Sequence, residues 1–305
     1  MRSQSPFGQN DEIGMLNMQL REDLAAAVMP RIDFSRPIYD LSVEYFVGMP
    51  SWTKTGDPTF QIWLTARPSG EFVDDPMGVG PEMNRKVGRS SDALMMFTHT
   101  GTHVDTLNHF SLDGSIWNGF TEAEHLGSRH WTVCGADKHP PIAARGVLID
   151  VAKFRGVDVL PDSYGIGRED LEGALAAEGL TVERGDVVII RTGRMSLWSD
   201  PARYLEDEPG LDLDGAQFLA ERGAMMVGVD NLGCEQTPSV ATDNWQVVHT
   251  FLLAESGIPI IEVVNAEELS RDEVYEFAFV GAALKLRGAT GSPIRPLAFP
   301  LRSRS

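Results

Sequence analysis

Short apolar runs alternate with polar segments along most of the chain, and their lengths suit buried strands and amphipathic helices. The segment REDLEGALAAEGL at 168–180 predicts a helix that ends at Gly179, and GDVVIIRTG at 185–193 predicts the strand that follows it. RGVLIDVA at 145–152 and AMMVGVD at 224–230 are typical of buried strands. This alternation predicts a mixed α/β fold.

Further elements are predicted on both sides of this region. REDLAAAVMP at 21–30 predicts a short helix, and 242–264 predicts a helix from Asp243 to Gly257 followed by the strand IPIIEVV. YEFAFVGAALKLRG at 275–288 predicts a strand pair or one long bent strand. Residues 67–90 and 235–245 are predicted to be long loops, which in compact domains often form functional sites.

Composition restricts the domain organisation and the partners. We predict one domain over residues 1–305, with an N-terminal extension of about residues 1–35. The chain has 44 acidic and 26 basic side chains, a net charge of −18, and no block of Lys or Arg, so we expect no nucleic-acid partner. We find neither a signal-peptide pattern nor an apolar stretch of membrane-spanning length, so we expect a cytoplasmic protein without a membrane partner. Cys134 and Cys234 are expected to be buried free thiols.

A cluster of histidines stands out in FTHTGTHVDTLNHF, residues 97–110, which holds three of the seven histidines and Asp105. Gly101 and the neighbouring threonines disfavour a helix here. In an extended chain the odd-numbered positions 99, 103, 105 and 109 share one side. A straight strand would separate His99 from His109 by about 33 Å, so we expect the chain to bend at Gly101.

With this bend, His99, His103 and Asp105 could supply three ligands to one divalent ion. His109 would lie beside the ion as a further ligand or as a proton carrier. An ion held by three protein ligands lowers the pKa of bound water and polarises a carbonyl group, which indicates hydrolytic chemistry. A chance surface cluster is the alternative, since HxGxHxD is less diagnostic than a paired CxxC zinc site.

The same residues resemble a known signature. HTGTHVDTLNHF at 99–110 resembles the HxGTHxDxxxHF pattern of the cyclase family of metal-dependent hydrolases, which includes bacterial kynurenine formamidases and isatin hydrolases. NDEIGMLN, YDLSVEYFVGMPSW and ALKLRGATGSPIRPLAF extend the similarity from about residue 10 to 300, as in the longer family members. The resemblance implies a barrel-like core of mixed β strands flanked by helices, a swivelling β/β/α fold. It also implies a homodimer or homotetramer with sites near subunit contacts.

The resemblance further implies roles for individual residues. The metal ligands would be His99, His103 and Asp105, with His249 and Glu262 completing a two-metal site, His109 as the catalytic histidine and Trp52 against the substrate ring. Without it, His249 would be taken for a core residue of an apolar helix. Glu262 is a lone carboxylate in an apolar strand, and a cation would offset the cost of burying it. Asp230 and Gln236 are weaker candidates for supporting or substrate contacts.

We therefore predict a metal-dependent hydrolase that cleaves a C–N or C–O bond of a small amide, lactam, imide or lactone by metal-bound hydroxide, with His109 carrying the proton. The ligand types leave Zn²⁺ or Mn²⁺, and one or two ions, open. One alternative is a lactone hydrolase of aromatic degradation, for which Arg191 and Arg194 are candidate anion contacts, although solvated surface arginines are more usual. The other is a non-catalytic metal-containing protein that binds a small molecule, which would not need His109.

Overall fold

A large curled sheet of nine strands forms a half-barrel, with helices packed around it. The computed structural model describes residues 3–53 and 56–302. Its strands are β1 (Tyr39–Asp40), β2 (Gln61–Ala66), β3 (Ser91–Met95), β4 (His103–Asp105), β5 (Ile142–Asp150), β6 (Gly165–Ile166), β7 (Val187–Arg191), β8 (Gly210–Leu211), β9 (Met226–Val229), β10 (Ile260–Glu262), β11 (Glu276–Gly281), β12 (Gly291–Pro293) and β13 (Leu297–Pro300). The predicted barrel-like α/β core is thereby confirmed.

Eleven α-helices lie in the same described ranges. They are α1 (Asn17–Arg21), α2 (Leu24–Val28), α3 (Pro68–Asp74), α4 (Pro81–Asn84), α5 (Glu122–His125), α6 (Val151–Phe154), α7 (Arg168–Glu178), α8 (Pro201–Tyr204), α9 (Leu213–Glu221), α10 (Val247–His249) and α11 (Glu267–Arg271). A π-helix, Thr250–Glu255, continues α10, and five short 3₁₀ segments lie elsewhere in the described ranges: Gly14–Leu16, Met29–Arg31, Trp117–Gly119, Ala136–Lys138 and Arg194–Leu197.

The strand order across the sheet is β1-β13-β11-β5-β7-β9-β10-β4-β12. The four central strands β5, β7, β9 and β10 are parallel, and the strands on either side of them are antiparallel. Parallel strands covered on both faces are apolar along their whole length, which explains the continuous apolar runs in the sequence.

Alternate residues of these strands enter two separate cores. Val147 and Val188 pack beneath α7 and α9, whereas Leu148 and Ile189 pack on the opposite face, which the N-terminal segment and α11 cover. This period of two follows from the pleat of a strand. Both faces of the sheet are thus covered by packed side chains.

Several predicted elements are confirmed. Helix α7 ends at Gly179, which has a φ of 67°, and β5, β7, β9 and β10 lie where the apolar runs predicted strands. Residues 235–245 form no helix or strand, as expected of a loop. Cys134 and Cys234 are buried free thiols, also as predicted.

Other predictions were wrong in detail. The helix expected from Asp243 begins at Val247, because the Gln246 N–H donates to Asn244 Oδ1 and this local bond competes with a helical start. It then widens into the π-helix before Gly257. Of the two alternatives for residues 275–288, the strand pair is wrong, and the one strand present, β11, is shorter than the long strand expected because it ends at Gly281. By contrast, the short helix expected at 21–30 is present as α2, which begins at Leu24 and ends at Val28, before Pro30.

The predicted loop at 67–90 contains two short helices, α3 and α4. Each has a proline at its first position, where a backbone N–H would have no partner within the helix. These helices connect β2 and β3, which form a separate two-stranded sheet within the described part of the chain. We call residues 61–95 the hairpin arm.

No helix in the described ranges is long and apolar enough to cross a membrane.

Candidate metal centre

Strand β4 places two of the predicted ligands on one face of the sheet. His103 lies directly opposite Glu262 of β10, and Asp105 lies two residues along β4. Because alternate residues share a face, all three side chains project together. His103 Nε2 lies 3.2 Å from Glu262 Oε2 and 3.3 Å from Asp105 Oδ1. His103 Nδ1–H donates to the Gly101 carbonyl at 2.7 Å, which directs Nε2 toward the carboxylates.

The turn before β4 brings His99 to the same place. Gly101 has a φ of +60°, and a Cβ there would lie 2.7 Å from the Tyr45 ring, so the predicted bend is confirmed. His99 Nδ1 lies 2.6 Å from Asp105 Oδ1, and its Nε2 lies 2.9 Å from Thr290 Oγ1.

The prediction of one extended segment from His99 to His109 was wrong, because only residues 103–105 are a strand. A second turn, in which the His109 N–H donates to the Thr106 carbonyl, returns His109 to the cluster. Its ring stacks on that of His99 with 3.8 Å between centroids, and its Nε2 lies 3.9 Å from Asp105 Oδ2.

His249 completes the cluster from the other side. It is the last residue of α10, immediately before the π-helix, a geometry that is common at functional sites. His249 Nε2 lies 3.2 Å from Glu262 Oε1 and 3.6 Å from Asp105 Oδ2. Two sets of three potential ligands therefore share Asp105: His99, His103 and Asp105, and Asp105, His249 and Glu262.

Three buried atoms of this cluster lack a hydrogen-bond partner: His103 Nε2, Asp105 Oδ2 and Glu262 Oε1. Leaving buried polar atoms unpaired is costly. Divalent cations held by the two ligand sets, through imidazole nitrogen and carboxylate oxygen, would satisfy these atoms. The donor set therefore fits a divalent metal ion.

The electrostatics of the cluster also favour a positive charge. Although burial favours the neutral ring, Asp105 and Glu262 raise the pKa of His103 to about 10, and carboxylates likewise raise the pKa of His249. Burial and the neighbouring His99 imidazole lower the pKa of His109 well below its usual value. His109 thus has a neutral ring in a cluster that attracts cations.

Glu235, which supports His249, was not predicted as a site residue from the sequence. Glu235 Oε1 accepts from His249 Nδ1 at 2.9 Å and from the His249 backbone N–H at 3.0 Å. Such a bond to a metal-binding histidine fixes its tautomer and ring orientation. Thr290, which contacts His99, was also missed. The only available signal for Glu235 was an acidic residue at the start of a long predicted loop.

Glycine 291 makes room for His99. It lies on β12 directly opposite Asp105, and a Cβ at this position would lie 2.5 Å from His99 Cε1.

The backbone bends just after Glu262, at Val263, which has a φ of 58°, a strained value for a β-branched residue. The Val263 carbonyl accepts from Thr102 Oγ1 at 2.7 Å, which helps to hold this conformation.

Aromatic side chains border the cluster. The ring of Phe97 lies 5.0 Å from that of His99, and the ring of Phe110 lies 4.7 Å from those of both His109 and His249. Trp245, 73% exposed, lies 6.2 Å from Phe110. The His109 side chain is 24% exposed whereas that of His249 is 5% exposed, so the cluster is most accessible from the side of His109.

Trp52 lies apart from these rings, in an apolar cluster with Val43, Tyr204 and Val263. Its contact with a substrate ring stays a prediction.

The expectation that Arg191 and Arg194 are solvated was wrong, because both are buried. Arg191 pairs with Asp150 and Glu267, and Arg194 donates to backbone carbonyls and to Asp162. Their guanidinium groups are therefore engaged within the fold.

The two weaker candidates also have structural partners. Asp230 accepts from the backbone N–H groups of Thr192 and Gly193, and Gln236 Nε2 donates to the Ser163 carbonyl. These bonds attach loops to one another.

Comparison with known proteins agrees with the fold and the cluster. The family model described as "Putative cyclase" matches residues 39–236. Kynurenine formamidase of Bacillus cereus is 30% identical over 209 residues, which are 68% of this chain and 79% of that protein. A crystal structure described as a novel cyclase is 27% identical, with a TM-score of 0.83 over 96% of both chains. Isatin hydrolase A from Ralstonia solanacearum is 21% identical, with a TM-score of 0.63 over 86% of this chain and 91% of that one, and supports the fold alone. The chain therefore belongs to the cyclase family of metal-dependent hydrolases.

Proposed function

We propose that the protein hydrolyses the C–N bond of a small cyclic or N-acyl amide at the cluster around Asp105. The observation that carries this proposal is the set of three buried atoms without a hydrogen-bond partner, His103 Nε2, Asp105 Oδ2 and Glu262 Oε1, which all belong to this one cluster of imidazoles and carboxylates. A purely structural cluster would pair these atoms within the protein.

The metal ligands we propose are His99, His103 and Asp105 for one ion, and Asp105, His249 and Glu262 for a second. Zn²⁺ and Mn²⁺ both suit imidazole and carboxylate ligands. When bound, such an ion polarises a carbonyl oxygen and lowers the pKa of a water molecule.

His109 is proposed as the proton carrier. Its ring stacks on His99, and its side chain is the most exposed of the four clustered imidazoles. A neutral imidazole at this position can accept a proton from the attacking water and donate it to the leaving nitrogen. The stacking on His99 and the edge contact with Phe110 restrict the directions in which its Nε2 can point.

The aromatic side chains around the cluster support an amide substrate that carries an aromatic ring. Phe97, Phe110 and Trp245 offer aromatic surface near the imidazoles, and two of the matched proteins are named kynurenine formamidase and isatin hydrolase. The lactone alternative depended on Arg191 and Arg194 as anion contacts. Both are engaged elsewhere, so the amide is the better candidate.

A substrate panel tests this function. The protein is stripped with a chelator, reloaded with Zn²⁺ or Mn²⁺, and given an N-formyl aromatic amine, a benzo-fused lactam or imide, and an aromatic lactone. We expect metal-dependent hydrolysis of an amide, with the lactone slower. If reloaded protein retains the ion and hydrolyses none of the panel, the proposed function is wrong for these substrate classes.

We also propose a homodimer or homotetramer. The molecule exposes 14625 Å², about 2,000 Å² more than a compact 33.5 kDa monomer is expected to expose. The hairpin arm carries many of the exposed large apolar side chains: Ile62, Trp63, Leu64, Phe72, Val73, Met77, Val79, Met83, Val87, Leu94 and Met95. A stable interface buries about 800 Å² per partner, which is less than the excess of exposed surface on this molecule. The cytoplasmic location stays a prediction.

A further inference from the structure

The loop that carries Glu235 is attached to a second segment, residues 208–211. The Leu211 N–H donates to the Cys234 carbonyl at 3.1 Å, and the Gln236 N–H donates back to the Leu211 carbonyl at 3.0 Å. Glu235 is therefore held between two backbone hydrogen bonds.

Glu208 fastens both ends of this loop. Its buried Oε2 accepts the N–H groups of Leu232 at 3.0 Å and Gly233 at 2.8 Å. Its own backbone N–H donates to Thr237 Oγ1 at 2.7 Å, and its carbonyl accepts the Thr237 N–H at 2.9 Å. Burial raises the pKa of Glu208 to about 7, so this carboxyl group is costly to keep inside the fold.

Gly210 allows the two segments to touch. A Cβ at this position would lie 2.4 Å from the Glu235 carbonyl carbon and 2.6 Å from the Cys234 carbonyl oxygen. Backbone atoms cannot yield as the end of a flexible side chain can. The 208–211 segment therefore lies directly against the backbone of Glu235.

We propose that Glu208 is a positioning residue for His249 and acts through Glu235. Glu208 holds Leu232 and Gly233, these fix the backbone of Glu235, and Glu235 Oε1 receives His249 Nδ1–H. The opposite nitrogen, Nε2, is thereby directed toward Glu262 and Asp105. This inference rests on the proposed metal centre.

Removing the Glu208 carboxyl group should lower the affinity for the metal ion that depends on His249. Removing a group that orients a metal ligand typically costs 10–100-fold in metal affinity, and we expect about tenfold here. The His99 and His103 ligands lie on the other side of Asp105 and should be unaffected.

The experiment is a calorimetric Zn²⁺ titration of the full chain. The wild type is compared with the single variants Glu208→Ala, Glu208→Gln and His249→Ala, and with the double variant that combines Glu208→Ala and His249→Ala. Glu206→Ala is the matched control, because Glu206 is a nearby exposed acidic residue. We expect about tenfold weaker binding of the His249-dependent ion in Glu208→Ala, rescue in Glu208→Gln, which keeps an acceptor, and no further loss in the double variant.

Three results would overturn the proposal: wild-type affinity in Glu208→Ala, an equal loss of all ions together with a lower melting temperature, or a full additional loss in the His249→Ala background. If the wild-type chain binds no divalent ion, the proposed metal centre itself fails and this inference fails with it. Normal binding by the wild type with an unaffected Glu208→Ala variant refutes the inference alone.

Discussion

The substitution Gly291→Ala adds one methyl group outside the proposed ligand set. Position 291 has ordinary strand geometry and no positive φ, so alanine brings no backbone strain. Its Cβ would lie 2.5 Å from His99 Cε1 and 2.8 Å from both ring nitrogens. The added methyl group therefore crowds the His99 ring.

The His99 ring must retreat by about 1 Å to restore ordinary contact, which begins at 3.4 Å. Asp105 and Thr290 hold both nitrogens of this ring, so the movement breaks at least one of these contacts. Overpacking costs about 1–3 kcal/mol, and metal–ligand distances tolerate about 0.2 Å. We expect metal affinity to fall by about 10–100-fold.

Metal affinity is measured by competition with a chromophoric chelator, alongside the melting temperature of the apo protein. Gly70→Ala is the control, because its Cβ would meet its nearest atom at 3.6 Å, an ordinary contact. Metal affinity within twofold of the wild type in Gly291→Ala would refute the proposed role of His99.

Three further outcomes are expected. His109→Asn should retain its metal and lower kcat by about 100-fold or more, whereas a loss of metal would make His109 a ligand and not a proton carrier. Against the effect of burial, ion pairs with two arginines lower the pKa of Glu276 from 4.5 to about 2. This group stabilises the fold above pH 4.5 and less as the pH falls toward 2, so the Tm deficit of Glu276→Gln should shrink between pH 6 and pH 3, and a constant deficit would contradict this. Leu94→Asp, on the hairpin arm, should give a smaller species in light scattering, and an unchanged mass would exclude this surface as the interface.

The central strands could be predicted because their apolar runs are local and their two buried faces need no distant information. The signature around His103 likewise placed the proposed ligands near one another. The bend at Gly101 followed from the distance between His99 and His109 alone. These features depend on short segments of the chain.

What the sequence missed depends on contacts between distant segments. Glu235 meets His249 only because residues 208–211 hold its loop, and Gly291 faces His99 only through the pairing of β12 with β4. Arg191 is buried because Asp150 and Glu267, far away in the sequence, neutralise it. No local pattern marks such partners.

The most direct test of the central claim is elemental analysis of the purified protein by inductively coupled plasma mass spectrometry. The wild type is compared with His103→Ala and Glu262→Ala, and with His139→Ala as a control, since His139 is also buried but belongs to neither ligand group. We predict near-stoichiometric Zn or Mn in the wild type and the control, loss in His103→Ala and partial loss in Glu262→Ala. A wild-type chain that retains no metal, even after reconstitution, would contradict the account.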